Sequence, residues 1–290
     1  MKTKLLFVDT NIWLDFYRSR TDAGLALLHH LEALQDKLIV TYQLEMEFKK
    51  HRQEAILETV NLLKPPTQVS RPALFSDAKA VNALHKNIKA AEKRVATLKA
   101  RLKQVLLTPS SHDPVYQVCQ RIFHKTDDLL LTRTMMREKA VVKRKAMRRF
   151  LLGCPPRKRN DTSMGDAVNW EWVVHCAHAK KADVVVVSRD TDYGITYDGK
   201  SYINDHLAQE FKDRTSRKRK IVLYDRLSQA LKEFTVAVTP EEESEEKAMM
   251  TAIESLDYEA IMKELTELVS IVKKQEPPMI PEQTKPTKQP

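Results

Sequence analysis

Four stretches of this chain place carboxylates just where apolar runs end. Asp9 follows Leu5–Val8 in "LLFVDTNIWLDFYR", and Glu45 and Glu47 follow Leu38–Thr41 in "YQLEMEF". Asp166 opens the helical pattern "GDAVNWEWVVHCA", and Asp190 and Asp192 follow Val184–Ser188 in "SRDTDYG". Taken singly, each has a plain role. Asp9 or Thr10 caps a helix, Asp166 complements a helix dipole, Glu47 is a surface residue, and Asp190-Thr191-Asp192 is a turn. Taken together they describe a site. Carboxylates brought close repel one another unless a cation lies between them. A donor set rich in oxygen and poor in nitrogen and sulfur suits Mg²⁺ or Mn²⁺. Such an ion activates water and offsets charge on a leaving oxygen, the chemistry of phosphodiester hydrolysis. Within "YQLEMEF" the two glutamates stand about 200° apart around a helix and cannot share a face. Its place three residues after Leu44 and beside Phe48, on the sheet-facing edge, favours Glu47 over Glu45 as the second acid, and the choice between the two stays open at this point. Asp9, Glu47, Asp166 and Asp190 are therefore the expected catalytic and metal-binding set.

The elements that must position these acids are legible in the hydrophobic pattern. Leu5–Val8, Leu38–Thr41, Val184–Ser188 and Ile221–Tyr224 are continuous apolar runs, the signature of strands covered on both faces. Helical periodicity occupies Ala23–Leu34, Leu44–Leu62, Asp166–Ala179, Asn204–Arg214 and Arg226–Phe234. Strands alternating with helices predict an α/β fold, a doubly wound parallel sheet flanked by helices. In such sheets ligands gather outside the carboxyl ends of the strands, where these acids fall. Asp198-Gly199 between two β-prone triplets predicts a type I′ hairpin over Ile195–Ile203.

A nearly glycine-free region, residues 76–152, interrupts the alternation. Ile88, Val95 and Leu102 recur every seven residues, as do Ala91, Leu98 and Val105, a coiled-coil stripe. "TPSSHDP" (Thr108 to Pro114) breaks it, and Asp113-Pro114 starts a second helix whose apolar positions are Val115, Val118, Ile122 and Leu129. These features predict an inserted long helical hairpin. Residues 1–75 and 153–237 then form the α/β domain. An acidic, amphipathic helical region spans 238–274, with Ile261, Leu265, Leu268 and Val272 on one face, and 275–290 reads as a disordered tail.

The net charge of +10 conceals an asymmetry: residues 241–290 carry −6 and residues 1–240 carry +16. Between Arg133 and Arg159 eleven basic residues stand against Glu138 alone. The basic cluster Lys143, Arg144, Lys145, Arg148 and Arg149 points to a polyanionic partner, most simply nucleic acid. No apolar run approaches the ~20 residues of a membrane span, and no secretory leader is visible, so a cytoplasmic protein without a membrane partner is expected. Three cysteines, Cys119, Cys154 and Cys176, without a C-x-x-C pair, argue against a disulfide framework. His175-x-x-His178 lacks further zinc ligands, Ser188 lacks a nucleophile-elbow context, and there is no phosphate-binding P-loop. Trp170 and Trp172 read as packing residues.

"FVDTNIWL", "LEMEF", "GDAVNWEWV" and "VVVVSRDTDYG" together resemble PIN-domain nucleases, over roughly residues 1–235. The chain looks most similar to a PIN-like branch with a helical insertion before the third acidic motif, in which a "PPRK"-like loop precedes the Gly-Asp pair. Here Pro155, Pro156, Arg157 and Lys158 precede Gly165-Asp166. The resemblance implies that Asp9, Glu47, Asp166 and Asp190 hold Mg²⁺ or Mn²⁺, with Asp192 as an additional outer acid. Asn11, Thr10, Ser188 and Glu171 would support the site. Arg157, Lys158, Arg159 and Arg189 would join the basic cluster on the nucleic-acid backbone. The activity implied is that of a metal-dependent endoribonuclease acting on single-stranded or loop RNA, tRNA included, of the kind seen in toxin–antitoxin modules and antiviral defence. A structure-specific DNA nuclease and a non-catalytic RNA-binding scaffold are the alternatives. A homodimer, or a protein partner recruited through the C-terminal helix or the helical hairpin, stays open at this point.

Overall fold

A computed structural model describes residues 3–62, 74, 79–157 and 163–252. The chain divides into two compact units, residues 1–246 and 247–290. Of the second unit, 247–252 are helical. The C-terminal stripe of Ile261, Leu265, Leu268 and Val272, the tail, and Lys158 and Arg159 lie outside the described residues.

The core of the first unit is a five-stranded sheet. Its strands are β1 (Lys4–Val8), β2 (Leu38–Thr41), β3 (Leu130–Leu131), β4 (Asp183–Val187) and β7 (Ile221–Tyr224), in the order β3-β2-β1-β4-β7. Every pairing is parallel, with registers such as Leu6↔Leu38, Val8↔Val187 and Val187↔Tyr224. The carboxyl ends therefore share one edge. Alternate side chains face opposite layers. Leu6, Val8, Leu38, Val40, Val185 and Val187 pack into one core, and Leu5, Phe7, Ile39, Val184 and Val186 into the other. Burial on both faces is the reason these runs carry no polar alternation.

The first core is closed by α1 (Thr10–Asp15), α2 (Asp22–Ala33), α3 (Tyr42–Leu62), α6 (Pro114–Phe123) and α10 (Leu227–Lys232). The second is closed by α7 (Met136–Leu152), α8 (Gly165–Lys180) and α9 (Asp205–Arg214). Between β4 and α9 the chain forms the hairpin β5 (Gly194–Tyr197) and β6 (Lys200–Ile203). Asp198 and Gly199 take φ of 49° and 70°, the left-handed pair a type I′ turn requires.

The inserted region differs from expectation. One helix, α4 (Lys79–Leu107), carries the seven-residue repeat and leads through the short α5 (Pro109–His112) to α6. Asp113 caps α6, accepting the Tyr116 N–H at 2.8 Å, and Pro114 occupies its first position. The expected second long helix stops at Phe123. Val115, Val118, Cys119, Ile122 and Phe123 form an apolar stripe that docks on the sheet. The three consecutive leucines 129–131 are buried because they run along the edge of β2 as β3. With α7 packed into the second core, residues 113–152 belong to the α/β body and not to a hairpin standing apart from it.

Candidate metal centre

The parallel register brings β1 and β4 to the same level, and the backbone continues their pairing: Asp9 N–H donates to Val187 O at 2.9 Å. Asp9 thus lands beside Ser188. Its carboxylate is 2 % exposed and uses both oxygens. Oδ1 accepts the Thr10 N–H at 2.7 Å and caps α1. Oδ2 accepts the Ser188 hydroxyl at 2.6 Å, with Asn11 Nδ2 at 3.4 Å. Ser188 Oγ also accepts the Asp190 N–H at 3.1 Å, so one hydroxyl orients both acids. The capping role of Asp9 is real, and it leaves one carboxylate oxygen for the site.

Glu47 reaches the same place from α3. Thr10 Oγ1 donates to its Oε2 at 3.0 Å and Gln43 Nε2 to its Oε1 at 2.8 Å. Glu45 points elsewhere, to Lys49 and His124 at 2.6 and 2.9 Å. Gly165 explains the approach of α8: a Cβ there would fall far inside contact distance of Glu47 Oε1. With a glycine there the start of this helix lies against Glu47 without displacing its carboxylate, and the next residue is Asp166. Asp9, Glu47, Asp166 and Asp190 line one cavity of about 260 Å³, with Thr10, Asn11 and Ser163, and with Lys50 and His51 on α3. A larger cavity, about 840 Å³, opens beside Lys4 and Asp183 at the opposite edge of the sheet. Its groups are spent on pairs such as Lys4–Glu233 and Lys180–Asp128, so chemistry and not volume selects the smaller one.

The electrostatics report the crowding. Burial first, then Asp190, pushes the Asp9 carboxyl up to about 7, against the lowering effect of its Ser188 and Thr10 hydrogen bonds, and Glu47 raises it further. Tyr193, fully buried, has its hydroxyl driven up by burial and then by Asp166, Asp9, Asp190 and Glu47 together. One phenol feels all four acids. Among the described residues no three carboxylate, imidazole or thiolate groups close into a metal cage; the acids surround a cavity instead. The residues fit a divalent cation nonetheless. The acid set supplies oxygen donors only, and the buried Asn11 Oδ1 has no hydrogen-bond partner among the described residues. Repulsion at Asp9 is what a cation would relieve.

Other expected site residues lie elsewhere. Glu171 is buried in an ion network: Arg214 donates to it at 2.6 and 2.9 Å, Arg149 at 3.3 Å, and both arginines also pair with Glu210. Five residues beyond Asp166, it is rotated about 140° around α8, which turns it toward α7 and α9. This corrects its supporting role. Arg149, 6 % exposed, is likewise corrected from phosphate contact to structural counter-ion, and it ties α7 to α8 and α9. Arg189 is half-buried and paired with Asp15, so its charge is committed beside the acids. Asp192 is half-buried and does not line the cavity. Lys143, Arg144, Lys145 and Arg148 are exposed, with Lys143 Nζ 5.9 Å from the Tyr42 ring centroid. Arg157 stacks over Phe150 at 4.4 Å. Trp170 and Trp172 are packing residues whose indole N–H groups bond to Glu210 and Leu129 O, and His175 stacks on Trp172 at 4.7 Å. Gln43 and Tyr193 were not among the expected site residues. Gln43 had a readable signal, four residues before Glu47 on one helix face.

A family model described as the PIN domain matches residues 6–193, from inside β1 to Tyr193, and so spans all four acids. The chain belongs to the PIN-domain family. No curated protein and no solved structure matches it. PIN domains are generally nucleases, commonly dependent on divalent metal ions, and the parallel sheet flanked by helices is the fold the family requires. Among the described residues no helix of this PIN domain is long and apolar enough to cross a membrane.

Proposed function

We propose that this PIN domain is a divalent-metal-dependent endoribonuclease acting on single-stranded or loop RNA. The observation that carries the reading is the meeting of Asp9, Glu47, Asp166 and Asp190 around one small cavity at the carboxyl edge of the sheet. These four acids would hold Mg²⁺ or Mn²⁺, which when bound supplies Lewis acidity toward water and phosphate. The chain's own residues do the positioning. Ser188 and Thr10 fix Asp9, Thr10 and Gln43 fix Glu47, and Ser188 sets the backbone of Asp190. Lys50 and His51 line the cavity, where a phosphate would meet the Lys50 ammonium. Exposed Lys143, Arg144, Lys145 and Arg148 on α7 offer sequence-independent affinity for the RNA backbone.

The test is incubation of the full chain with labelled RNA, single-stranded DNA and flap DNA, in Mg²⁺, Mn²⁺ or EDTA, beside Asp9→Asn and Asp166→Asn. RNA cleavage that needs metal and both acids supports the reading. Cleavage surviving both substitutions removes the assignment, cleavage of DNA alone makes the protein a DNA nuclease, and binding without cleavage makes it a scaffold.

A further inference from the structure

The hairpin β5–β6 exposes side chains that a folded protein usually hides. In its register Ile195 faces Tyr202 and Tyr197 faces Lys200. With period-two alternation these four side chains share one face. Ile195, Tyr197 and Tyr202 are 63 %, 74 % and 51 % exposed. The opposite face is satisfied: Thr196 and Ser201 bond to each other at 2.9 Å, and a Cβ on Gly194 would meet Leu223 of β7 at 2.8 Å. The ribbon is therefore seated on the sheet edge, and its aromatic face stays outward.

A second observation lies alongside. Between α9 and the outer edge of β7 runs a groove of about 810 Å³, whose lining includes Ile203, Lys212, Lys218, Lys220 and Val222. The loop entering β7 reads Arg217-Lys218-Arg219-Lys220. Among the described residues no carboxylate pairs with Lys212, Arg217, Lys218 or Lys220, and all four are exposed. The neighbouring acids are committed. Asp183 accepts the Lys220 N–H at 3.0 Å and stands 4.0 Å from Arg219, and Asp213 accepts from Gln209 at 2.9 Å. Unpaired cations packed this densely repel, and a polyanion is what relieves them.

The groove also has a direction. The Asn204 N–H donates to Tyr193 O at 2.8 Å and closes the ribbon's base behind the tyrosine whose hydroxyl senses the four acids. From there the groove follows β7 to the loop before Ile221, at the opposite edge of the sheet. Aromatic platforms at one end and a cationic track beyond them form the arrangement that holds single-stranded nucleic acid without sequence preference.

We infer that the outward face of β5–β6 and the basic groove beside β7 form a second RNA-binding track, one that leads a single strand away from the acidic cavity. Tyr197 and Tyr202 stack on bases, and Lys212, Arg217, Lys218 and Lys220 hold phosphates. The inference rests on the ribonuclease reading for the identity of the polyanion. An acidic protein segment is the competing occupant, disfavoured because two exposed tyrosines beside lysines match base stacking.

Binding is read in EDTA with the full chain carrying Asp9→Asn. The probe is 5′-labelled oligouridine of about 20 nucleotides, longer than the ~4–16 that one single-strand module covers, or a short one of about 3 nucleotides, below that range and too short to hold the track. Tyr197→Ala/Tyr202→Ala weakens binding of the long probe by about tenfold or more, stacking being worth that much per base, and Lys218→Gln/Lys220→Gln weakens it through lost phosphate contacts. The lysine pair also flattens the salt dependence by ~0.7 per lost phosphate contact. Binding of the short probe is unchanged. Unchanged affinity and salt slope on the long probe overturn the inference, as does equal loss on both probes. If the parent cuts RNA while these variants bind normally, the track fails and the ribonuclease reading stands. If the parent binds the long probe through the track and never cuts, the track stands and the ribonuclease reading fails.

Discussion

Ser188 and Asp9, 179 positions apart in sequence, share a hydrogen bond of 2.6 Å at the carboxyl edge of the sheet. The bond follows from strand register, because Val8 pairs with Val187 and the next residues must adjoin. It lowers the proton affinity of Asp9 against burial and against Asp190. Ser188→Ala removes the donor and leaves the strand intact. Affinity for Mn²⁺ should fall about 10- to 100-fold, as when other orienting partners of metal ligands are lost. Calorimetric titration checks this, and an unchanged affinity would separate Ser188 from the site.

Gly165→Ala probes the approach of α8 to Glu47. The added Cβ meets the mobile end of the Glu47 side chain, so the fold adapts by moving that carboxylate. Stability should drop by only about 1 kcal/mol, while cleavage falls at least tenfold. Combining it with Glu47→Asp relieves the collision and returns the melting temperature toward that of Glu47→Asp alone. A large stability loss with normal specific activity would contradict this geometry.

Relief of repulsion predicts that Asp9→Asn is more stable than the parent in EDTA. Ionised Asp9 is buried and sits against Asp190 and Glu47, so neutralising it should raise stability near pH 8, above the value of about 7 to which its carboxyl is pushed. Thermal unfolding in EDTA reads the difference, and saturating Mg²⁺ should reverse it by stabilising the parent alone. Equal or lower metal-free stability of the variant would argue against convergence of the acids.

Arg149 and Arg148 separate packing from binding on one helix. Arg149→Ala removes one of the two buried counter-ions of Glu171 and Glu210, leaving both acids to Arg214 alone, and should lower the melting temperature. Arg148→Ala, at an exposed position, should leave the melting temperature unchanged and weaken RNA binding at low salt. The same network sets a pH dependence. Burial raises the Glu210 carboxyl, but its bonds to Arg149 and Arg214 outweigh that and hold it below its ordinary value of 4.5. Its folded pKa lies below the unfolded one, so its contribution is present above pH 4.5 and lost as pH falls through the folded value. Acid unfolding of Glu210→Gln should show a shallower loss of stability below pH 4.5 than the parent.

Much of this was legible in the chain because burial on two faces leaves a simple record. Leu38–Thr41 is a strand to the residue, since a run with no polar alternation fits a covered parallel sheet, and Ile221–Tyr224 is one too, although at the sheet edge its Val222 stays exposed. β3 was hidden, because two paired residues within "KTDDLLLT" carry no periodicity of their own. Arg149 looked like its neighbours by charge, yet it follows Val142 and Ala146 at the spacing of one helical stripe, and that stripe is buried. Glu171 lies in a helix buried without interruption from Ala167 to Val174, where an acid must find partners. Charge placed these residues at a surface; helical period, followed through, places them inside.

As proposed, Asp9, Glu47, Asp166 and Asp190 act as one cation site for RNA cleavage. Its most direct test is Mn²⁺ titration of the parent and of Asp9→Asn, Glu47→Gln, Asp166→Asn and Asp190→Asn, each assayed in parallel on labelled single-stranded RNA. Every substitution should weaken Mn²⁺ binding and cleavage together. Variants that bind Mn²⁺ like the parent, or that keep cutting RNA without it, would contradict it.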